Sequence, residues 1–244
     1  MKKFIILFCG FLLPAVTIWA KKLEGSNNYV NTSVRTDDFY KVKTNGAFNI
    51  VYHQDKDSAG LVKMYGEDNI LNDMKIESKE GVLNIKFQTS SKKDFGVVIL
   101  HIYSSALDEV ECDAGAVFET TGPVSGSTLS LLLMGNGQIK SYNLDYGIVK
   151  AKILSGSGDI FLGGSCRIAE LSITGRGEIQ AHELKARDVK CQMTGNASLG
   201  CYAESKLDVY ITGRGRVYYK GEPQITKKIV GPGKILSLKG VEIE

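Results

Sequence analysis

Apolar and polar residues alternate through the second half of the chain, as in Leu171-Ser-Ile173-Thr. A period of two predicts β-strands with one buried face. The alternation is punctuated by one short pattern, Gly-x-Gly-x-apolar. It reads Gly135-Asn-Gly137-Gln-Ile139, Gly156-Ser-Gly158-Asp-Ile160, Gly175-Arg-Gly177-Glu-Ile179, Gly195-Asn-Ala197-Ser-Leu199, Gly213-Arg-Gly215-Arg-Val217 and Gly231-Pro-Gly233-Lys-Ile235. Successive first glycines are 21, 19, 20, 18 and 18 residues apart. Self-similarity at this period is the mark of a solenoid, in which each repeat buries its apolar face only by stacking on its neighbours.

Aligned on the first glycine, Leu133, Leu154, Ile173, Met193, Ile211 and Ile229 lie two residues before it. Ile139, Ile160, Ile179, Leu199, Val217 and Ile235 lie four after it. Each repeat is therefore a strand, a glycine bend and another strand. The bend glycines are expected where the backbone needs positive φ or passes close to the next coil. The expected fold is all-β, a right-handed parallel β-helix of roughly 20-residue rungs. A β-sandwich also accommodates regularly spaced short strands, and the recurring glycine pair favours the solenoid over it. Two irregularities stand out: Ala197 replaces the second glycine of the fourth rung, and Ile153-Leu154 breaks the alternation where the spacing is longest, which predicts a bulge. Cys112-Asp-Ala-Gly115-Ala-Val117 reads as a degenerate opening rung.

Residues 36–103 have a different grain. Apolar-rich segments at Phe39–Val42, Phe48–Tyr52, Leu61–Tyr65, Met74–Ile76, Val82–Phe87 and Val97–Ile102 are separated by turn formers such as Asn45-Gly46 and Glu80-Gly81. Glu67–Asp73 holds the one candidate helical turn. This region predicts an antiparallel β unit that caps one end of the solenoid, where an unpaired strand edge otherwise invites aggregation. The division expected is a signal peptide over 1–20, a polar lead-in or peripheral strand over 21–35, the N-terminal β region over 36–103 and the solenoid over 104–244.

The first 20 residues carry Lys2 and Lys3, then an almost wholly apolar run from Phe4 to Trp19, and end in Ala20. That is the pattern of a secretory signal peptide, and its run is too short for a membrane span. Cys9 follows Ile6-Leu7-Phe8, a poor context for lipoprotein cleavage. The expected location is outside the cytoplasm: periplasm, cell surface or extracellular space. No other stretch is apolar and long enough to cross a bilayer. Without Lys2 and Lys3 the 30 basic residues fall to 28 against 27 acidic ones, which excludes a nucleic-acid partner of the usual basic kind. Cys112, Cys166, Cys191 and Cys201 match no metal-ligand spacing, and they read as buried thiols whose pairing the sequence does not define.

On the Phe39 to Gln54 segment, Gly66-Glu-Asp-Asn-Ile-Leu71, Gly81-Val-Leu-Asn-Ile85 and the glycine rungs, the chain resembles the secreted bacterial "putative auto-transporter adhesin, head GIN domain" proteins. The resemblance implies a two-part all-β fold containing a β-helix, export to the envelope and an adhesive role, and it supplies no catalytic residues. The sequence carries no series of transmembrane strands with aromatic girdles, so self-secretion is not expected.

Chemistry is sparse. Asp159 and Glu178 follow their glycines by three residues on successive rungs, where a pair of acids in a polysaccharide-active enzyme would stand. Their column continues through Gln138, Ser198, Arg216 and Lys234, which is the composition of a solvated surface. Gly156-Ser-Gly-Asp159 faintly resembles calcium-binding nonapeptide repeats, but its aspartate occurs in one rung only. His53, His101 and His182 are dispersed, without Cys, Asp or Glu at ligand spacing. No metal or other cofactor is expected. What remains is an outward ladder one residue after the first glycines, Asn136, Ser157, Arg176, Asn196 and Arg214, able to hydrogen-bond a sugar or a protein strand. Tyr142, Tyr202, Tyr218 and Tyr219 add stacking surface. The function expected is a non-enzymatic envelope or surface protein that binds glycan or a surface protein. The alternatives are a β-helix enzyme and a purely structural module, and an oligomer is compatible with each.

Overall fold

In the computed structural model, which describes residues 23–89 and 93–239, the alternating segments form nineteen strands. The expected signal peptide lies outside the described residues. The strands are β1 (Leu23–Glu24), β2 (Tyr29–Arg35), β3 (Lys41–Asn45), β4 (Asn49–Gln54), β5 (Leu61–Glu67), β6 (Met74–Lys79), β7 (Val82–Phe87), β8 (Lys93–Asp94), β9 (Ile99–Ser104), β10 (Glu109–Asp113) and β11 (Val117–Thr121). They continue as β12 (Val124–Gly135), β13 (Gln138–Gly156), β14 (Asp159–Gly175), β15 (Glu178–Gly195), β16 (Ser198–Gly213), β17 (Arg216–Lys220), β18 (Gln224–Val230) and β19 (Lys234–Ser237). The one helix among the described residues, α1 (Asp68–Asn72), falls on the expected helical turn and buries Ile70 and Leu71. Among the described residues no helix is long and apolar enough to cross a membrane.

From β12 onward every coil pairs in parallel with the next, so the repeat builds a β-solenoid. Registers such as Gln138↔Asp159, Asp159↔Glu178 and Glu178↔Ser198 superpose equivalent positions of successive rungs. Burial changes phase between Tyr146 and Val149, marking a corner that separates a short face from the long strand leading into the next glycine bend. Inside, Leu133, Ile153, Ile173, Met193 and Ile211 form one buried column, and Ile139, Ile160, Ile179, Leu199 and Val217 another.

The expected bulge is present: Leu133 pairs with Ile153 but Met134 pairs with Ser155, which leaves Leu154 as the extra residue. It corrects the alignment by one place. Ile153 is fully buried and carries the interior column, while Leu154 is turned outward and 41% exposed.

The parallel ladder also reaches further toward the N-terminus than the glycine repeat does. β3 pairs in parallel with β10 and β7, and β4 with β11 and β9. Thus β7/β9, β3/β4 and β10/β11 are three more coils, although β3/β4 precedes β7/β9 in sequence and lies inside it in space. The degenerate rung at Cys112–Val117 is the bend between β10 and β11. Among the described residues antiparallel pairing is confined to β6 on β7, β5 on β9 and β2 on β5. Those three strands close the N-terminal end, and the expected lead-in contributes β2 as a peripheral strand. Large rings fill this end: Phe39, Phe48, Tyr52 and Phe118 are all buried.

Candidate functional site

The glycine corner combines two constraints. Gly156 has φ +96°, and a Cβ placed there would stand 2.1 Å from the Gly135 carbonyl oxygen. Gly158 has an ordinary φ, but its Cβ would lie 2.6 Å from the Gly137 oxygen and 2.7 Å from Leu133 Cδ2. The first position therefore needs left-handed backbone and the second needs close approach of backbone and core. Gly135, Gly175, Gly195, Gly213 and Gly231 share the positive φ, and Gly137, Gly177, Gly215 and Gly233 the crowding. Ala197, at the second position, is 8% exposed. Ala116 and Phe48 occupy the equivalent places in the two coils that precede Gly137 in the stack.

Between the two glycines the ladder residues Asn136, Ser157, Arg176, Asn196 and Arg214 all face solvent. The Ser157 backbone N–H and hydroxyl both donate to Asn136 Oδ1, at 3.3 and 3.1 Å. From Arg176 onward the link between rungs is backbone to backbone, Arg176 N–H to the Gly156 oxygen at 3.3 Å and Asn196 N–H to the Gly175 oxygen at 3.0 Å. The two guanidinium groups thus stand out from a continuous polar edge. Asp159 and Glu178 are direct partners on neighbouring coils, half-buried, and Gln138 Nε2 donates to Asp159 Oδ2 at 3.5 Å. Among the described residues no three His, Cys, Asp or Glu side chains converge as metal ligands do.

Cys191 and Cys201 are buried with their sulfurs 4.0 Å apart, and Cys112 is buried near Thr44. Cys166 is half-buried. The thiols are free, and burial pushes those of Cys112 and Cys166 up to about 12.

A second surface gathers residues that are far apart in sequence. On the outer face of β9 stand Ile99, His101 and Tyr103. Antiparallel β5 sets Lys63 beside His101 and Tyr65 beside Ile99, and parallel β4 sets Val51 beside His101 and His53 beside Tyr103. The His53 and Tyr103 rings stack at 4.4 Å and 9°. Tyr65 stacks on Tyr29 at 5.5 Å, with both rings about two-fifths exposed. Together with Asn31 and Ser33 of β2, this face borders a shallow groove of ≈ 520 Å³.

The imidazoles form a relay. His53 Nε2 lies 3.0 Å from His101 Nδ1, and His53 Nδ1 lies 2.9 Å from Thr121 Oγ1. Thr121 Oγ1 donates to the Tyr52 carbonyl at 3.2 Å. With that proton committed, His53 Nδ1–H donates to Thr121 and His53 Nε2 accepts from His101 Nδ1–H. Burial, then the neighbouring His101 and Lys63, hold the His53 imidazole below its ordinary pKa. His182 stands apart on β15, likewise lowered by burial and by Lys220. The expectation that the three histidines are dispersed therefore holds for His182 and fails for the other two. Parallel pairing of β4 with β9 joins residues 48 positions apart, and no glycine pattern marks that pairing in the sequence.

Similar folds are found in solved structures. A crystal structure of a "putative adhesin" from Bacteroides fragilis matches with a TM-score of 0.83 at 25% identity, over 88% of this chain and 99% of that one. One from Parabacteroides merdae, also called a "putative adhesin", matches with a TM-score of 0.72 at 25% identity, over 89% and 99%. A "putative lipid binding protein" from Parabacteroides distasonis matches with a TM-score of 0.73 at 21% identity, over 89% and 99%, which speaks to fold alone. Among curated proteins none matches. The family model described as "Putative auto-transporter adhesin, head GIN domain" matches residues 38–223, and the chain belongs to that family.

Proposed function

We propose that this is a non-enzymatic exported protein of the cell envelope or surface that binds a glycan on the outer face formed by β2, β5, β9 and β4. The observation that carries this reading is the row of rings, exposed Tyr65 and the half-buried His53–Tyr103 stack, set beside Asn31, Ser33, Lys63 and His101 on one sheet. Sugar rings stack their C–H faces on such aromatic surfaces while their hydroxyls need flanking donors and acceptors. A rigid sheet holds both sets in place without ordering a loop, so little entropy is lost on binding. Family membership supports the adhesive part of the reading, and the apolar run over 4–19 supports export.

The exposed corner ladder is the second surface in this proposal, because Arg176 and Arg214 project from an edge whose backbone is already satisfied. A glycan array probed with the purified protein, Tyr65→Ala and Arg176→Ala/Arg214→Ala separates the two. Selective binding lost in Tyr65→Ala alone supports the aromatic face. Loss in the arginine pair alone moves the site to the ladder. Absence of binding by the wild type overturns the glycan reading in favour of a protein ligand or a structural role.

A further inference from the structure

The two ends of the solenoid are finished differently. Antiparallel β6, β5 and β2 cover the N-terminal end. At the other end, among the described residues, β18 is ladder-bonded only to β16 and β19 only to β17. Their outward backbone amides and carbonyls form an open strand edge, a template for a further strand.

The interior columns also stop there uncovered. Ile225 sits over Leu207, Ile229 over Ile211 and Ile235 over Val217. Ile225 is 40% exposed, whereas Leu207 beneath it is fully buried. Between Ile225 and Ile229 comes Lys227, over Val209. That inward column is apolar in the preceding coils, through Leu131, Ala151, Leu171, Cys191 and Val209. A lysine thus replaces an interior residue at the place where the column opens.

Basic residues predominate around this lip. From Arg214 to Lys239 there are seven Lys and Arg residues against one acid, Glu222. Lys220 and Lys239 are held by Glu183 and Glu222, at 2.8 and 2.6 Å. Lys228 lies 5.8 Å from the Tyr210 ring. Lys227 and Lys234 have no anionic partner among the described residues.

These features discriminate between occupants. A second copy docked end to end sets like charges against each other, and one docked head to tail meets the covered end. An anionic lipid surface answers the charge but leaves the edge amides and carbonyls without partners. An extended chain with a carboxylate between two apolar residues answers the edge, the isoleucines and the lysine together. The geometry points to the β18 edge as a strand-addition site for an extended segment of another protein with the pattern apolar-x-Glu/Asp-x-apolar, its carboxylate opposite Lys227 and its apolar residues opposite Ile225 and Ile229. This site is separate from the aromatic face and does not depend on it.

Fluorescence anisotropy of a labelled peptide, Thr-Ile-Thr-Glu-Thr-Ile-Thr, titrated with the purified full chain tests it. A peptide with Lys at the centre and an N-methylated copy of the Glu peptide serve as comparisons. Saturable binding of the Glu peptide is expected, weakened roughly tenfold by Lys227→Glu, with the Lys peptide regaining affinity for that variant. N-methylation is expected to abolish binding, since it removes the strand hydrogen bonds. Lys227→Gln, which puts no charge at the lip, is expected to reduce the preference for Glu over Lys, and thermal melts of both variants verify folding. The inference is overturned if the wild type gives no saturable binding of the Glu peptide, or if the N-methylated peptide binds equally. It is also overturned if phosphatidylglycerol vesicles bind where the peptide does not, or if sedimentation shows a dimer that Lys227→Glu dissociates.

Discussion

His53 Nε2 and His101 Nδ1 share one hydrogen bond at 3.0 Å across the β4–β9 pair. A single proton fits between them, so protonating both rings places two N–H groups head to head. Burial and the neighbouring His101 and Lys63 lower the His53 pKa, so the folded state holds fewer protons than the unfolded chain in mild acid. Stability from this group is therefore complete above the ordinary imidazole pKa of about 6.5 and declines as pH falls from there through the folded value. Melting temperature should drop across that window in the wild type, and the slope should flatten in His53→Gln. An unchanged slope in the variant assigns the effect to other groups.

The glycine corner makes a second prediction. Gly156→Ala forces an L side chain into φ +96° and against the Gly135 oxygen, so it should cost about 2 kcal/mol or more. Ala197→Gly, at a site that already holds a Cβ, should cost no more than about 1 kcal/mol. For a chain of this size, 1 kcal/mol corresponds to a shift of about 2–4 °C. Paired thermal melts decide the matter; equal shifts would remove the distinction between the two corner positions.

The difference between those positions also marks how far the sequence carries. A recurring Gly-x-Gly-x-apolar pattern at 18 to 21 residues announces the coils from Gly135 onward, because every coil repeats one steric problem. Even the bulge at Leu154 was legible as a break in alternation. The coils built from β7/β9 and β3/β4 were not, since Phe48 stands where a later coil has its second glycine and the strands stack out of chain order. The His53–His101 contact depends on that crossed order, so residue spacing held no sign of it. The exposure of Asn136, Ser157, Arg176, Asn196 and Arg214 follows from the corner geometry alone, whereas a ligand for them does not.

The cysteines should be chemically quiet in the folded protein. Burial raises the Cys112 and Cys166 thiols to about 12, and the hydrogen bond to Cys201, then burial, raises Cys191 well above its ordinary value. The thiolate is the nucleophile, so alkylation by iodoacetamide at pH 8 should be slow until denaturant is added. Half-buried Cys166 should react first and Cys191 with global unfolding. Rapid native labelling of Cys191, read by peptide mass spectrometry, would show that the coil interior opens locally.

Buried phenols set the alkaline limit. Tyr146 donates its hydroxyl to the Leu107 carbonyl at 2.7 Å, and Tyr52 Oη lies 2.9 Å from Ser104 Oγ. Burial raises both above the ordinary tyrosine value of 10.0. Their protonated forms are retained in the folded state while the unfolded chain ionises, so this stability is present in full below pH 10 and is lost as pH rises toward the folded values. Absorbance at the phenolate band should show the exposed tyrosines titrating first, with Tyr52 and Tyr146 appearing only as the fold is lost. Tyr146→Phe should cost about 1–2 kcal/mol at neutral pH, because the Leu107 oxygen loses its donor in a dry site, and should make the alkaline transition shallower. If both phenols titrate with the exposed ones while the circular dichroism stays native, the interior at this end is open to hydroxide and the packing described for it is wrong.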